Sequence, residues 1–98
     1  MIFFEWYSNK AKLIAEKHGL KMEVIKKIFD DPLRIEQFDT DHSGQEDRRQ
    51  VLGKVNRVLF AVYTERDDRI RIITARKATG REKSIYYGKS NEGEWSIS

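Results

Sequence analysis

Cysteine is absent from this chain of 98 residues, and its absence excludes several kinds of chemistry at once. Disulfide bonds, thiolate metal sites and a cysteine nucleophile all require a thiol. A chain without any thiol is most simply a protein of a reducing compartment. We therefore expect it to act inside the cell, in the cytoplasm.

Signals for membranes and for export are also lacking. The chain has no run of about 18 apolar residues, the length that a membrane-spanning helix requires. The N-terminal segment contains Glu5 and Lys10 and no small-residue cleavage site, so it does not have the pattern of a secretory signal. We expect no membrane contact.

Motifs of several enzyme classes are missing as well. Neither a glycine-rich phosphate loop nor a serine nucleophile elbow occurs. Asp39, Asp41 and His42 form a D-x-D-H pattern that looks like metal-ligand spacing. They lie in a polar segment, 39–47, that we predict to be a loop, and a flexible loop holds metal ligands poorly. We therefore predict no metal site and no cofactor.

Charge is what the chain has in abundance, and the positive charge is unevenly distributed. Charged residues make up 36% of the chain, and the net charge is +3. Between positions 66 and 83 there are seven Arg or Lys residues and three acidic residues, a local excess of +4 that exceeds that of the whole chain. A basic segment of this kind permits nucleic-acid binding without requiring it.

The segment 58–79, VLFAVYTERDDRIRIITARKAT, has the clearest pattern in the chain. Two runs of alternating apolar residues flank Asp67 and Asp68, a pattern typical of a β-hairpin with a tight turn. Folding the hairpin brings together one carboxylate, one phenol and several cations: Tyr63, Glu65, Arg66, Arg69 and Arg71, with Arg76 and Lys77 at the strand end. Such a surface suits a polyanion. The alternative is a solvated sheet face whose arginines pair with Glu65, Asp67 and Asp68.

The segments before the hairpin predict two helices and further strands. We expect a strand at 2–6, a helix at 9–18 between a Ser8 N-cap and a Gly19 stop, and a second helix at 21–30. Asp31 and Pro32 end the second helix, because a residue before proline is disfavoured in helical geometry.

The remaining segments complete the predicted domain. We expect strands at 33–38 and 48–55, the second with a bulge at Gly53, then a turn at Asn56 and Arg57, and a short helix at 80–87 after the hairpin. The fold class is then α+β, an antiparallel sheet with the two N-terminal helices on one face and the other face partly open. We predict one domain over 1–87 and a tail, 88–98, suited to disorder or to partner contact.

RNA is one polyanion that the basic hairpin could bind, and cleavage of RNA without a metal requires particular groups. A base must take the proton of the 2′-hydroxyl, positive charge must stabilise the phosphorane, and an acid must protonate the leaving oxygen. Arginine suits the second role because its planar fork matches two phosphate oxygens. The chain's candidate groups for proton transfer are Glu65, Tyr63, Tyr86, Tyr87, His18 and His42. His18 lies on the apolar stripe of the first helix, so it is either a packed, hydrogen-bonded histidine or an acid–base group.

Several of these segments together resemble the BrnT family of toxins from bacterial type II toxin–antitoxin pairs. The matching N-terminal residues are Glu5, Trp6, Lys10, Ala11, Lys17, His18, Gly19, Asp31 and Pro32. The matching central and C-terminal residues are Asp41, His42, Ser43, Glu46, Asp47, Arg48, Gly53, Thr64, Glu65, Arg66, Arg71, Ile72, Ile73, Thr74, Ala75, Arg76, Lys77, Ala78, Glu82 and Tyr86. The departures are Tyr7 for the usual Asp, Ile14 near the usual Asn, and Thr74 for the usual Ser.

The resemblance implies a RelE-like fold and a small ribonuclease that cuts RNA and halts translation. It also implies a DNA-binding antitoxin, BrnA, that covers the toxin in a hetero-oligomer. The family's basic residues at the end of the last strand correspond to Arg76 and Lys77, and its preceding motif corresponds to Glu65 and Arg66.

The sequence therefore predicts a metal-independent endoribonuclease that uses the 2′-hydroxyl as nucleophile. The predicted catalytic residues are Arg66, Arg76, Lys77 and Glu65, and the predicted substrate-binding residues are Arg71, Tyr63, Arg69, Tyr86 and His18. The alternative hypothesis is a non-catalytic module, or a degenerate toxin, that binds RNA or a partner protein through the same basic face.

Overall fold

The structure is a computed structural model that describes residues 2–39 and 47–88. Its elements, in chain order, are β1 (Phe3–Glu5), α1 (Ser8–His18), α2 (Met22–Ile25), a 3₁₀ helix (Lys26–Asp30), β2 (Ile35–Phe38), β3 (Arg48–Val55), β4 (Arg57–Arg66), β5 (Arg69–Lys77) and α3 (Gly80–Tyr86). The predicted α+β class is confirmed, with two helices ahead of most of the sheet and a short one after it. The D-x-D-H pattern from Asp41 onward and the tail after Gly88 lie outside the described residues.

The five strands form one sheet in the order β1-β5-β4-β3-β2. Neighbours from β2 to β5 are antiparallel, but β1 runs parallel to β5, with Phe4 beside Ile70. The prediction of a wholly antiparallel sheet is therefore wrong at this edge. A three-residue strand carries no local signal for direction. Its place follows from the packing of the partly buried Phe4 against the core beneath the helices.

The predicted hairpin is confirmed, and its turn is formed by Asp67 and Asp68. Asp67 has a φ of 57°, a left-handed conformation that Asp tolerates better than most residues. The pairing register shifts between Val62, opposite Thr74, and Tyr63, opposite Ile72. Ile73 is thus an extra residue that forms a β-bulge in β5.

The bulge predicted at Gly53 is wrong, because Gly53 pairs in regular register with Leu59. A Cβ atom at position 53 would lie 2.6 Å from Cγ2 of Ile28 and 3.0 Å from its carbonyl oxygen. Glycine here lets the 3₁₀ helix lie directly on β3.

The helix ends follow the sequence with two differences. Gly19 ends α1 in a left-handed conformation with a φ of 67°, as predicted. The N-cap of α1 is Tyr7 rather than Ser8, and it makes no side-chain cap hydrogen bond. The second predicted helix is one α-helical turn continued as a 3₁₀ helix.

The turn between β3 and β4 is shorter than predicted. Asn56, with a φ of 66°, makes this turn by itself, so β4 begins at Arg57.

Two apolar clusters lie on opposite faces of the sheet. On what we call the first face, α1, α2 and the 3₁₀ helix cover a large core that includes Ile14, Ile25, Ile28, Leu59 and Ile72. On the second face, α3 covers a smaller cluster: Leu52, Val58, Phe60, Val62, Ala78 and Ile85. The second face is thus covered at the end where β5 leads into α3. None of the described helices is both long and apolar enough to cross a membrane.

Candidate functional site

Four arginines share the second face near the hairpin turn. Arg66 on β4 lies directly opposite Arg69 on β5. Thr64, two residues before Arg66 on β4, is flanked by Arg48 on β3 and by Arg71 on β5. Cross-strand partners point to the same face of a sheet. We call Arg48, Arg66, Arg69 and Arg71 the arginine cluster. Like charges opposite one another are unfavourable, so a bound anion would stabilise this arrangement.

Glu5 is the carboxylate that the cluster shares. Its Oε1 accepts a hydrogen bond from Nε of Arg71 at 3.2 Å, and its Oε2 lies 3.7 Å from Nη1 of Arg69. Glu65 instead lies on the first face, where it accepts from Nη1 of Arg49 at 2.9 Å. The carboxylate predicted to sit among the hairpin arginines is therefore on the other side of the sheet, and a residue of β1 takes its place.

A pocket of about 270 Å³ lies where α1 meets this cluster. It is lined by Tyr7, Lys10, Arg48, Arg71 and Ile73, and we call it the basic pocket. The guanidinium carbon of Arg71 lies 5.6 Å from the centre of the Tyr7 ring, a cation–π distance. The sequence did not single out Tyr7, Lys10 or Arg48 as site residues, because their proximity depends on strand register and on where α1 packs.

Arg76 also points to the second face, opposite Phe60, but it is engaged by α3. Its Nη1 and Nη2 donate to Oε1 and Oε2 of Glu82 at 2.8 and 3.0 Å. Its guanidinium carbon lies 4.2 Å from the centre of the Phe60 ring. This bidentate ion pair joins the end of β5 to α3.

Glu82 is a buried residue, 4% exposed. Burial alone would raise the pKa of Glu82, but hydrogen bonds from Arg76 and from the Thr79 backbone N–H lower it below the ordinary value of 4.5. The Thr79 hydroxyl in turn accepts a hydrogen bond from the backbone N–H of Glu82. These two reciprocal bonds form a capping box at the start of α3.

Lys77 and Tyr63 lie on the first-face side of the sheet. Lys77 is exposed at the end of β5, opposite Leu59. Tyr63 is 2% exposed, and its hydroxyl donates to Oε1 of Glu36 at 2.7 Å. Burial and the neighbouring Glu36 carboxylate raise the pKa of the Tyr63 phenol far above its usual range, so it holds its proton firmly.

Tyr86 lies on α3, and its hydroxyl donates to Oδ2 of Asp31. Burial and the Asp31 carboxylate raise the pKa of Tyr86 to about 12. His18, at the end of α1, is half-buried and lines a second pocket with Lys10, Lys17 and Thr74. Its imidazole makes no hydrogen bond with the part of the chain that the structure describes, so a hydrogen-bonded imidazole is not seen there. Because Lys10 lines both pockets, the His18 pocket adjoins the basic pocket.

The structure thus brings Arg66, Arg69 and Arg71 together, and places Arg76 on the same face under α3. Glu65, Tyr63 and Lys77 project from the first face, and Tyr86 faces Asp31. Within residues 2–39 and 47–88, no three His, Asp or Glu side chains are grouped to hold a metal ion.

Comparison with known families shows a match over most of the chain. A family model described as "Ribonuclease toxin, BrnT, of type II toxin-antitoxin system" matches residues 6–82. The matched segment runs from Trp6 through Glu82 and contains all four arginines of the cluster. No curated protein matches the chain.

Proposed function

Because the chain belongs to the BrnT family of ribonuclease toxins of type II toxin–antitoxin systems, we propose that it is an endoribonuclease that cuts RNA and arrests translation in the cytoplasm. A toxin of this type has an antitoxin protein as partner, and we propose a BrnA-like, DNA-binding antitoxin that forms a hetero-oligomer with it. The observation that carries the proposal is the arginine cluster, in which Arg66 opposes Arg69 and one carboxylate, Glu5, contacts two of the four guanidinium groups.

The proposed reaction needs no metal. The 2′-hydroxyl of a single-stranded nucleotide gives its proton to a base and attacks the adjacent phosphate. The bond from phosphorus to the 5′-oxygen breaks, which leaves a 2′,3′-cyclic phosphate, and the leaving 5′-oxygen takes a proton from an acid. Arg66, Arg69 and Arg71 neutralise the charge that grows on the phosphorane oxygens, because guanidinium forks on a stiff sheet cost little to orient. Single-stranded RNA is the preferred substrate, because a regular helix denies the hydroxyl an in-line approach.

Among three of the candidate proton-transfer groups, Glu65, Tyr63 and His18, it is His18 whose position supports the role. Tyr63 is buried and holds its proton, and Glu65 lies across the sheet in an ion pair with Arg49. The pocket that His18 lines shares Lys10 with the basic pocket.

The fold proposal is a RelE-like toxin domain over 1–87 followed by a tail. It is supported by the four antiparallel strands β2–β5, the two N-terminal helices on the first face and the short helix after the last strand.

One contact favours the alternative of a binding module or a degenerate toxin. Both terminal nitrogens of Arg76 donate to Glu82. To bind a phosphate with both terminal nitrogens, Arg76 would first have to break its ion pair with Glu82. The ion pair therefore favours a structural role for Arg76 over a catalytic one.

The test is induced expression in a bacterium, following growth and total mRNA integrity. The variant is Arg66→Ala with Arg69→Ala, two exposed side chains whose removal should leave the fold intact, because exposed ion pairs contribute little to stability. We expect wild type to arrest growth and degrade mRNA, and the double variant to do neither. Arg57→Ala, an exposed arginine at the opposite end of β4, is the matched control and should behave as wild type.

Normal growth of cells that express the wild type as strongly as the double variant would reject the toxin activity. The alternative of a non-catalytic binding module would then remain. Arrest by the double variant would place the active site elsewhere. Lys77→Ala tests the predicted strand-end residue in the same assay without disturbing a described ion pair. Arg76→Ala is unsuitable alone, because it also leaves Glu82 buried and unpaired.

A further inference from the structure

We propose that the basic pocket is an RNA subsite, in which Lys10, Arg48 and Arg71 bind a backbone phosphate and the Tyr7 ring stacks on the base of the same nucleotide. This inference rests on the proposed ribonuclease function and specifies how its substrate is held. Lys10, Arg48 and Tyr7 are residues that neither the sequence motifs nor the family match assigns to a site.

Three separate elements bring the cations of the pocket together. Arg48 and Arg71 flank Thr64 on the two sides of β4, which places their Cα atoms about 10 Å apart at the usual strand spacing. Two long side chains separated by this distance can reach the same phosphate. Lys10, on the first turns of α1, closes the pocket from the side.

The charges in and beside the pocket favour an anion. Three cations line it, and the Glu5 carboxylate contacts one of them, Arg71. Within the described ranges, the side chains of Arg48 and Lys10 make no ion pair. The charges of Arg48, Lys10 and Arg71 lie on one small concave surface, so an approaching phosphate is attracted by all three cations at once.

Arg71 is held in place before any ligand arrives. Glu5 accepts a hydrogen bond from Nε, and the Tyr7 ring lies against the guanidinium group. The Tyr7 hydroxyl is also 3.5 Å from Nη1. A pre-oriented guanidinium loses less side-chain entropy on binding than a mobile one.

Tyr7 is the feature that favours a single-stranded ligand. It is 58% exposed, so a large aromatic ring stands at the rim of a cationic pocket. Proteins bind single-stranded RNA by stacking unpaired bases on such rings while cations follow the backbone. A paired base in an A-form helix is already stacked on its neighbours and does not offer its face to Tyr7.

The experiment measures binding of a fluorescein-labelled single-stranded 12-mer RNA of mixed sequence, methylated at every 2′-oxygen so that it cannot be cleaved. Fluorescence anisotropy is recorded from 50 to 200 mM KCl. We expect Arg48→Gln and Lys10→Gln each to weaken binding about fivefold and to reduce the slope of log affinity against log salt by about 0.7, the value for one lost phosphate contact on a single strand. Arg57→Gln and Lys12→Gln, which change exposed cations outside the pocket, should keep the wild-type slope.

The tyrosine is tested by a different signature. Tyr7→Leu should weaken binding about tenfold with an unchanged salt slope, because stacking releases no counterions. Tyr7→Phe keeps the ring and should bind as wild type. Thermal unfolding of each variant checks that the fold is intact. The three pocket variants Arg48→Gln, Lys10→Gln and Tyr7→Leu provide independent tests if one of them fails to fold.

The possible failures are distinguishable. If the wild type binds the methylated RNA and cleaves the unmodified RNA, but the pocket variants match their controls in affinity and slope, the subsite is wrong and the ribonuclease function stands. If the wild type neither binds nor cleaves, the proposed function fails and the subsite with it. Equal binding of a duplex of the same sequence would overturn the stacking role of Tyr7.

Discussion

Glu82 is the side chain whose chemistry depends most on its surroundings. Its carboxylate is almost fully buried, yet it stays charged because it accepts from both terminal nitrogens of Arg76 and from the backbone N–H of Thr79. The same carboxylate therefore caps α3 and holds the end of β5. At the scale of single residues, Arg76 has a structural partner whether or not it also contacts RNA.

This arrangement predicts a pH-dependent contribution to stability. The folded-state pKa of Glu82 lies below its unfolded value of 4.5, so its stabilisation is complete above that pH and is lost as the pH falls through the folded pKa. We expect Glu82→Gln to lower the free energy of unfolding by about 2 kcal/mol at pH 7, with the difference from wild type shrinking below about pH 4.5.

Urea unfolding at a series of pH values from 7 to 3, followed by circular dichroism, measures this difference. Glu23→Gln, an exposed glutamate on α2, is the matched control and should remain close to wild type throughout. A difference between Glu82→Gln and wild type that stays constant over the whole pH range would contradict the assignment.

At the scale of elements, β3 is constrained on both of its faces. Arg48 and Gln50 project to the second face, and Val51 packs in the core of the first face. Gly53 allows the backbone of the 3₁₀ helix to approach closely. The strand thus carries Arg48 to the basic pocket at one end while its other end packs against the 3₁₀ helix.

Gly53→Ala should destabilise the protein by about 1–3 kcal/mol, the usual range for overpacking a closely packed site. The added methyl would lie 2.6 Å from the Ile28 side chain and 3.0 Å from the Ile28 carbonyl oxygen, which is backbone and cannot rotate away. Thermal or urea unfolding measures the change.

Gly80→Ala is the control for that substitution. A Cβ at position 80 would meet no atom within 4 Å, and alanine favours the helix that begins there, so stability should be unchanged or slightly higher. Equal effects of the two substitutions would show that helix contact is not the reason for glycine at position 53.

At the scale of the whole molecule, Asp31 connects layers on both sides of the sheet. Its Oδ1 accepts from the backbone N–H of Leu33, and its Oδ2 accepts from the backbone N–H of Lys54 and from the Tyr86 hydroxyl. It follows the 3₁₀ helix, whereas Tyr86 belongs to α3. The two helical layers are therefore joined around β3 through one carboxylate.

Asp31→Asn should lower the free energy of unfolding by about 2 kcal/mol at pH 7, because an amide keeps one acceptor oxygen and loses the charge that strengthens these bonds. Tyr86→Phe removes a single one of them and should cost less. Urea unfolding followed by circular dichroism gives both values. Asp30→Asn alters the exposed neighbour and should be near neutral; a loss as large as that of Asp31→Asn would refute the connecting role.

Much of the local structure could be predicted from the sequence, because it depends on neighbouring residues. Alternation of apolar residues around Asp67 and Asp68 indicated β4, β5 and their turn, and Gly19 indicated the end of α1. The basic segment near the hairpin and the family motifs indicated the ribonuclease hypothesis. Each of these signals comes either from residues that are close together in the sequence or from a family motif taken as a whole.

The tertiary structure alone decided which charged groups meet. Strand register placed Arg48 level with Arg71 and put Glu65 on the other face, and the parallel pairing of β1 brought Glu5 to the cluster. The packing of α1 beside β5 added Tyr7 and Lys10, and α3 supplied Glu82 as the partner of Arg76. The physical reason is that register and crossing direction are set by burial of distant apolar residues, so the neighbours of a surface arginine are determined by the core beneath it.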